Sequence, residues 1–277
     1  MQMKVYYLGP TGSYHSIAAQ HLFDGDEHDL KPMKTFTEIY KALEQDDDAV
    51  GIVALENSST SNVHENFDNI FKRNLHIISE IYLQINLHLM ALPSAKLSDI
   101  TKVYSHPKAM AQSEQFLQTH GIEMHPVEST SHGKRLILEK GDIHNAALGS
   151  KLLAEDGQVH IVAENIGDNK RNVTRFVVLS PQRSDKRAED VDKLTFHFKT
   201  KHRPGALAKV LTALADIGAN LTHIESRPIP GTDWEYSFWI DVKVNPQHIS
   251  DVIEIMKETT LEMRIIGKYK EGETIET

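Results

Sequence analysis

The residue pattern predicts an α/β protein in two parts, a two-lobed α/β domain with a cleft between its lobes and a ferredoxin-like βαββαβ domain after it. Three observations carry that expectation. Short apolar runs alternate with helix-spaced segments from Val5 to Leu179. A stretch dense in both charge signs, residues 182–193, interrupts the pattern and reads as a linker. Beyond it, Tyr236, Phe238, Ile240, Val242 and Val244 alternate strictly, between two segments with helical spacing. The expected boundaries are therefore 1–181, 182–193 and 194–277.

Composition bounds the function. The chain has 277 residues, 40% hydrophobic and 25% charged, enough for about two globular domains. It has no cysteine, which excludes disulfides, a thiolate nucleophile and cysteine-held metals, and which fits a reducing, cytoplasmic setting. A formal charge of -9 disfavours a nucleic-acid partner. No run reaches the length of a membrane span, and Met1 to Lys4 leads straight into a strand, with no room for a signal peptide.

In chain order, Val5 to Leu8 is a strand ending in Gly9-Pro10-Thr11-Gly12-Ser13, and Ala18, Ala19 and Leu22 mark a helix. Thr35 and Glu38 have the spacing of a capping box before Ile39 and Leu43. Val50 to Leu55 is an apolar strand that stops at Glu56-Asn57-Ser58. Ile77 to Met90 reads as one long strand. Val103-Tyr104 is a short strand, followed by Ser105 as the expected cap of a helix starting at Pro107. Residues 146–149, 159–162 and 174–179 are further strands. In the last domain Leu194, Phe196 and Phe198 predict a half-buried strand, and Leu207 to Ile217 a helix stopped by Gly218. Leu221 to Ser226 is a strand, Pro228 to Asp233 a hairpin-like connection, Ile249 to Met256 a helix and Met263 to Ile266 the last strand.

Five strand ends collect hydroxyls, amides or glycine: Gly9 to Ser13, Glu56 to Ser59, Ser105-His106, Ser129 to Ser131, and Asn172 to Phe176. Any one is an ordinary cap or turn. Together, at the carboxyl ends of strands, they imply a small, anionic, oxygen-rich ligand. Gly9 to Ser13 is neither a dinucleotide fingerprint nor a P-loop. No His-Glu-x-x-His or Gly-x-Ser-x-Gly pattern occurs, so neither a metal site nor a serine triad is expected. In Thr174-Arg175-Phe176 the arginine suits a carboxylate, the threonine a departing oxygen and the phenylalanine a ring; a strand whose arginine pairs with an acid is the plain alternative.

The chain resembles the monofunctional prephenate dehydratases with a C-terminal ACT regulatory domain. The likeness runs from Tyr7-Leu8-Gly9-Pro10 through Leu55 to Ser58, Ser105 to Ala109, Ser129-Thr130, Ala146 to Ser150, Asn165-Ile166 and Asn172 to Phe176. It continues through Pro204 to Leu207 and Asn220 to Pro228 to Ile266 to Tyr269. The resemblance implies loss of water and CO2 from prephenate to give phenylpyruvate, without cofactor or metal. It makes Thr174 the main catalytic residue, flanked by Arg175 and Phe176. Glu56, Asn57, Ser58, Ser105, His106, Thr130 and Asn172 would line the substrate or its surroundings. It further implies a homodimer or homotetramer joined through the ACT domain and inhibited by phenylalanine. Gly205, Ala206 and Leu207 of one copy would meet Asn220 and Leu221 of another, with Glu225, Ser226, Arg227 and Pro228 completing the effector site. Departures fall at His15, Thr60, Ser61 and Lys134. Arogenate as substrate, with Glu56 toward its amine, and a catalytically inactive amino-acid sensor are the competing readings.

Overall fold

The computed structural model describes residues 2–59, 61–183, 190–229, 231–232 and 235–277. Thr60, half of the expected linker (184–189) and parts of the Pro228 to Asp233 connection lie outside the described residues.

The first lobe begins with three parallel strands, β1 (Met3–Leu8), β2 (His28–Met33) and β3 (Val50–Asn57), with β1 in the middle. Helices α1 (Tyr14–Leu22) and α2 (Phe36–Leu43) make the crossovers that parallel strands require. Thr35 caps α2 by accepting from the Glu38 N–H at 3.2 Å, while Glu38 accepts from the Lys34 N–H at 2.8 Å. A short strand β4 (Ser61–Asn62) folds back on β3 and leads into α3 (His64–Lys72) and β5 (His76–Gln84).

The stretch expected as one long strand is two. After β5 the chain leaves the sheet at residues 85–87 and enters the second lobe as β6 (His88–Ala91). The apolar alternation carries through because both segments have a buried face; a change of partner sheet leaves no mark on periodicity. The second lobe adds β7 (Lys102–Ser105), α4 (Pro107–Ala111), α5 (Glu114–Thr119), β8 (Glu123–Pro126), α6 (Thr130–Lys140), β9 (Asn145–Gly149) and β10 (His160–Ala163). Its sheet has the order β10-β6-β9-β7-β8. The cap of α4 is His106, whose Nδ1 accepts from the Lys108 N–H at 3.1 Å. The expected cap, Ser105, instead donates to the Leu148 carbonyl at 2.6 Å.

The chain then returns as β11 (Val173–Ser180), inserted antiparallel between β3 and β5. Two crossings thus join the lobes, and they touch where the Ile85 N–H donates to the Asn172 carbonyl at 2.7 Å.

The C-terminal domain is β12 (Lys193–Lys199), α7 (Ala206–Asp216), β13 (Asn220–Pro228), β14 (Tyr236–Lys243), α8 (Ile249–Thr259) and β15 (Glu262–Tyr269). The order β13-β14-β12-β15 is the expected ferredoxin-like one. Phe196, Phe198, Val210, Leu214, Ile240, Val252 and Met256 form the core between this sheet and its helices.

The other face of that sheet departs from expectation. It is covered by the first lobe, where the Phe67 ring meets Trp239 at 5.1 Å and Phe71 meets His197 at 4.0 Å. β12 is consequently buried on both faces. Lys193, placed in the linker by its charge, begins this strand and is fully buried. β15 also pairs with β5, and a last strand β16 (Thr274–Glu276) pairs with Tyr82 to Gln84. The two domains therefore share one 11-stranded sheet.

Candidate active site

The carboxyl ends of β1 and β3 and the start of β11 lie at one end of the first-lobe sheet. On β11, Phe176 and Val178 pack with Ala18 and Ala19 of α1, while Val177 and Leu179 pack with Tyr40, Phe67 and Tyr269 on the opposite face. Alternation puts Thr174 on the α1 face and Arg175 on the other.

Asn57 reaches Thr174 because β3 is irregular. Thr174 is opposite Asn57 and Arg175 opposite Glu56, but Phe176 is opposite Ala54, so Leu55 is an extra residue. Such a bulge reverses the alternation beyond it. Ala54 packs on the α1 face, Leu55 on the other, Glu56 meets Arg175, and Asn57 returns to the Thr174 face. Asn57 Nδ2 donates to Thr174 Oγ1 and to Asn172 Oδ1, both at 2.8 Å. With Oγ1 accepting from Asn57, the Thr174 hydroxyl hydrogen is directed elsewhere. Ser58 braces the same corner: its Oγ donates to the Arg171 carbonyl at 2.8 Å and accepts from the Val173 N–H at 2.9 Å.

The second lobe meets α1 across the cleft. A Cβ placed on Gly12 (φ +86°) would lie 2.8 Å from Leu153 and 3.8 Å from Ser131 Oγ. Ser13 caps α1, accepting from the Ser16 N–H at 3.2 Å, and Ser129 caps α6, accepting from the His132 N–H at 3.0 Å. The α6 start is seated by Gly133, where a Cβ would stand 2.2 Å from the Tyr104 carbonyl oxygen. A Cβ on Gly149 would lie 3.2 Å from that of Thr130. Ser105 is wholly buried and ties β7 to β9. Thus Asn57, Asn172 and Thr174 form one hydrogen-bonded group, Ser58 supports it, and Thr130 and Ser105 belong to the facing lobe.

Arg175 and Glu56 are placed otherwise than expected. The Arg175 side chain is 1% exposed and lies on the face away from Thr174. Nε donates to Glu80 and Nη1 to Glu56, each at 2.7 Å; Nη1 also donates to Asp241, and Nη2 to the Tyr269 hydroxyl at 2.8 Å. Lys193 joins through Glu80 at 2.8 Å. The guanidinium holds the two domains together instead of gripping a ligand carboxylate. Glu56 also pairs with His223 of β13 at 2.9 Å. Burial pushes the Glu56 carboxyl up, but the His223 hydrogen bond and the Arg175 charge outweigh it and hold it down at about 2. Glu56 therefore faces the regulatory side, which removes it as a partner for a substrate amine. Phe176 is buried in the α1 core, with its ring edge-on to that of His15 at 4.9 Å.

Of the expected effector residues, Gly205, Ala206 and Leu207 open α7 and line a cavity of about 290 Å³ with Tyr236 and Phe238. Asn220 lies past the other end of this 11-residue helix, about 16 Å away along its axis, so one copy does not bring the two motifs together. Glu225 and Arg227 point at the first lobe. Arg227 donates to both oxygens of Asp68, at 2.9 and 2.8 Å. Glu225 pairs with His64 at 2.8 Å and also accepts from Asn62. Sequence reasoning missed Glu80, Tyr269, Asp241 and His223, whose partners are far away in the chain; a carboxylate inside an apolar strand, as Glu80 is, was the available signal.

Among the described residues no helix is long and apolar enough to cross a membrane. Residues 5–184 match the family model for prephenate dehydratase and residues 198–258 that for the ACT domain. The prephenate dehydratase of Methanocaldococcus jannaschii is 32% identical over 97% of this chain and 98% of its own. The solved prephenate dehydratase of Staphylococcus aureus subsp. aureus Mu50 superposes with a TM-score of 0.86 at 29% identity, covering 96% of this chain and 100% of that one. That of Arthrobacter aurescens, solved in complex with L-Phe, gives 0.82 at 27% identity, covering 97% and 90%.

Proposed function

The chain belongs to the prephenate dehydratase family, and on that premise we propose that Thr174, held by Asn57 and Asn172, delivers the chemistry at the cleft between its lobes. The reaction takes the prephenate dianion and one proton, drawn from solvent, to the phenylpyruvate anion, water and CO2. The ring carbon–oxygen bond breaks, and the electron pair of the carbon–carboxylate bond passes into the ring as CO2 departs. Aromatisation supplies the driving force, so what is required is orientation and help for the leaving oxygen. A threonine is too weak an acid to protonate that oxygen outright. It stabilises the charge developing on it by hydrogen bonding, a contribution of about 10²- to 10⁴-fold. The Asn57 bond to Thr174 Oγ1 is the observation that carries this reading, because it leaves the hydroxyl hydrogen for the substrate.

With Arg175 engaged elsewhere, the first-turn amides of α1 and α6 are the positive ends left to meet the dianion. Phe176 shapes the floor under α1, and His106 and Ser105 hold the facing lobe.

Phenylalanine inhibits by binding between two ACT domains, with Gly205 to Leu207 of one copy against Asn220 and Leu221 of the next. The distance between those motifs within one copy supports a site that needs two. β13 is a sheet edge with Ile224 exposed, which suits pairing of copies as a homodimer or a homotetramer. Glu225, Ser226, Arg227 and Pro228 then serve as the link, since Glu225 and Arg227 hold α3, beside the β3 and β4 turn that carries Asn57. Effector binding shifts the population between two arrangements of that contact. We take the domains as 1–181 and 193–277, the expected bounds with Lys193, the first residue of β12, assigned to the second. The site of action is the cytoplasm, a reducing compartment that suits a cysteine-free chain.

The test is phenylpyruvate formation from prephenate by the purified protein, with arogenate in parallel and phenylalanine titrated in. Turnover of prephenate suppressed by phenylalanine supports the reading. Turnover of arogenate alone, or phenylalanine binding without turnover, overturns it.

A further inference from the structure

We propose that His15 is a substrate-binding residue of this enzyme, a neutral imidazole that donates a hydrogen bond from Nδ1 to a carboxylate oxygen of the substrate. The inference deepens the proposed function and rests on that reading.

His15 is the second residue of α1, on the turn that meets the second lobe. Its Nε2 is 3.2 Å from the backbone nitrogen of Ala54, which can only donate. Nε2 must therefore be the bare nitrogen and Nδ1 must carry the proton.

The need for this contact comes from the sheet. β1 pairs with β3 only as far as Tyr7 and Ile52, and then turns away. The Ala54 N–H on that side has lost its strand neighbour just before the Leu55 bulge, and the His15 ring replaces it. The ring is also fixed laterally, edge-on to Phe176 at 4.9 Å and tilted against Phe36 at 5.6 Å.

Nδ1 is different. The residue is half-buried, and among the described residues Nδ1 has no hydrogen-bond partner and is not sealed from solvent. An oriented donor is thus left accessible beside Phe176, one strand step along the same face from Thr174. The crowding that desolvates the ring pushes its pKa down to about 3. The donor accordingly stays neutral and keeps one tautomer, so it recognises oxygen without adding a charge.

Three measurements on the full-length protein test this. Nitrogen-15 spectra of the histidine rings, with His15 assigned by difference from a His15→Phe variant, should show the Nδ1–H tautomer. Steady-state kinetics with prephenate should show kcat/KM lowered about 10- to 100-fold in His15→Phe, chiefly through KM, as for the loss of a hydrogen bond to a charged group. His15→Gln presents the same pair of atoms, an acceptor toward Ala54 and a donor toward the cleft, and should return to within about threefold of wild type. An Nε2–H tautomer, a kcat/KM in His15→Phe equal to wild type, or a Gln variant as impaired as the Phe variant would each overturn the proposal. Absence of prephenate turnover in the wild type would instead overturn the reading on which it rests, with the tautomer still measurable.

Discussion

Replacing Arg175 by methionine should unfold the junction between the domains before it affects substrate binding. The side chain is 1% exposed, as is that of Asp241, and Glu80 is 0%. Among the described residues, Arg175 and Lys193 are the fixed cations against the carboxylates of Glu56, Glu80 and Asp241, with His223 also on Glu56. Removing the arginine leaves buried carboxylates facing one lysine. Breaking a buried pair from one side costs about 3–5 kcal/mol. At roughly 2–4 °C per kcal/mol for a domain of this size, the melting temperature should fall on the order of 10 °C. The assay is thermal unfolding by circular dichroism, with prephenate KM measured well below the transition. The double variant R175M/D241L, which removes charge from both sides, should recover more than about 1 kcal/mol of the loss. A melting temperature within about 2 °C of wild type together with a KM raised 100-fold would refute the reasoning and return Arg175 to the substrate.

Thr174→Ala should lower kcat at least about 100-fold with little change in melting temperature, while Thr174→Ser keeps much of the rate; single-turnover phenylpyruvate formation reads this directly. Gly133→Ala should destabilise by about 1–3 kcal/mol and raise KM, because its Cβ meets the Tyr104 carbonyl and pushes the α6 start out of the cleft; urea unfolding and KM measure the two effects. The contact between Glu56 and His223 should depend on pH in two directions. Burial pushes the His223 pKa down, but Glu56 and Asp241 outweigh it and raise it above 6.5. Its contribution is therefore complete below 6.5 and lost as pH rises through the folded value. That of Glu56 is complete above about 4.5 and lost as pH falls toward about 2. Melting temperature should accordingly decline as pH rises above about 6.5, and His223→Gln should flatten that decline.

Much of this protein was legible in its residues. The C-terminal βαββαβ order follows from alternation and helical spacing in Leu194 to Ile266, because those elements bury one face each in a local core. Asn57, Asn172 and Thr174 were legible as polar groups at the ends of apolar strands, Asn57 closing β3 and the other two at the start of β11, and they do converge. The roles of Arg175 and Glu56 were not. Both lie next to residues of the candidate site in sequence, but a strand sends neighbours such as Thr174 and Arg175 to opposite faces, and one extra residue at Leu55 reverses the face that Glu56 occupies. Periodicity cannot announce a bulge, since Leu55 is apolar and buried either way. Nor can it report that β5 and β6 belong to different sheets, or that a regulatory domain seals its second face on α3. Those choices are made by contacts between residues far apart in the chain, such as Arg175 with Asp241 and Arg227 with Asp68. Local pattern determined which segments bury a face. Only the packing of the two domains decided which charges face the substrate and which hold the molecule together, because a charge is placed by the partners that offset its loss of water.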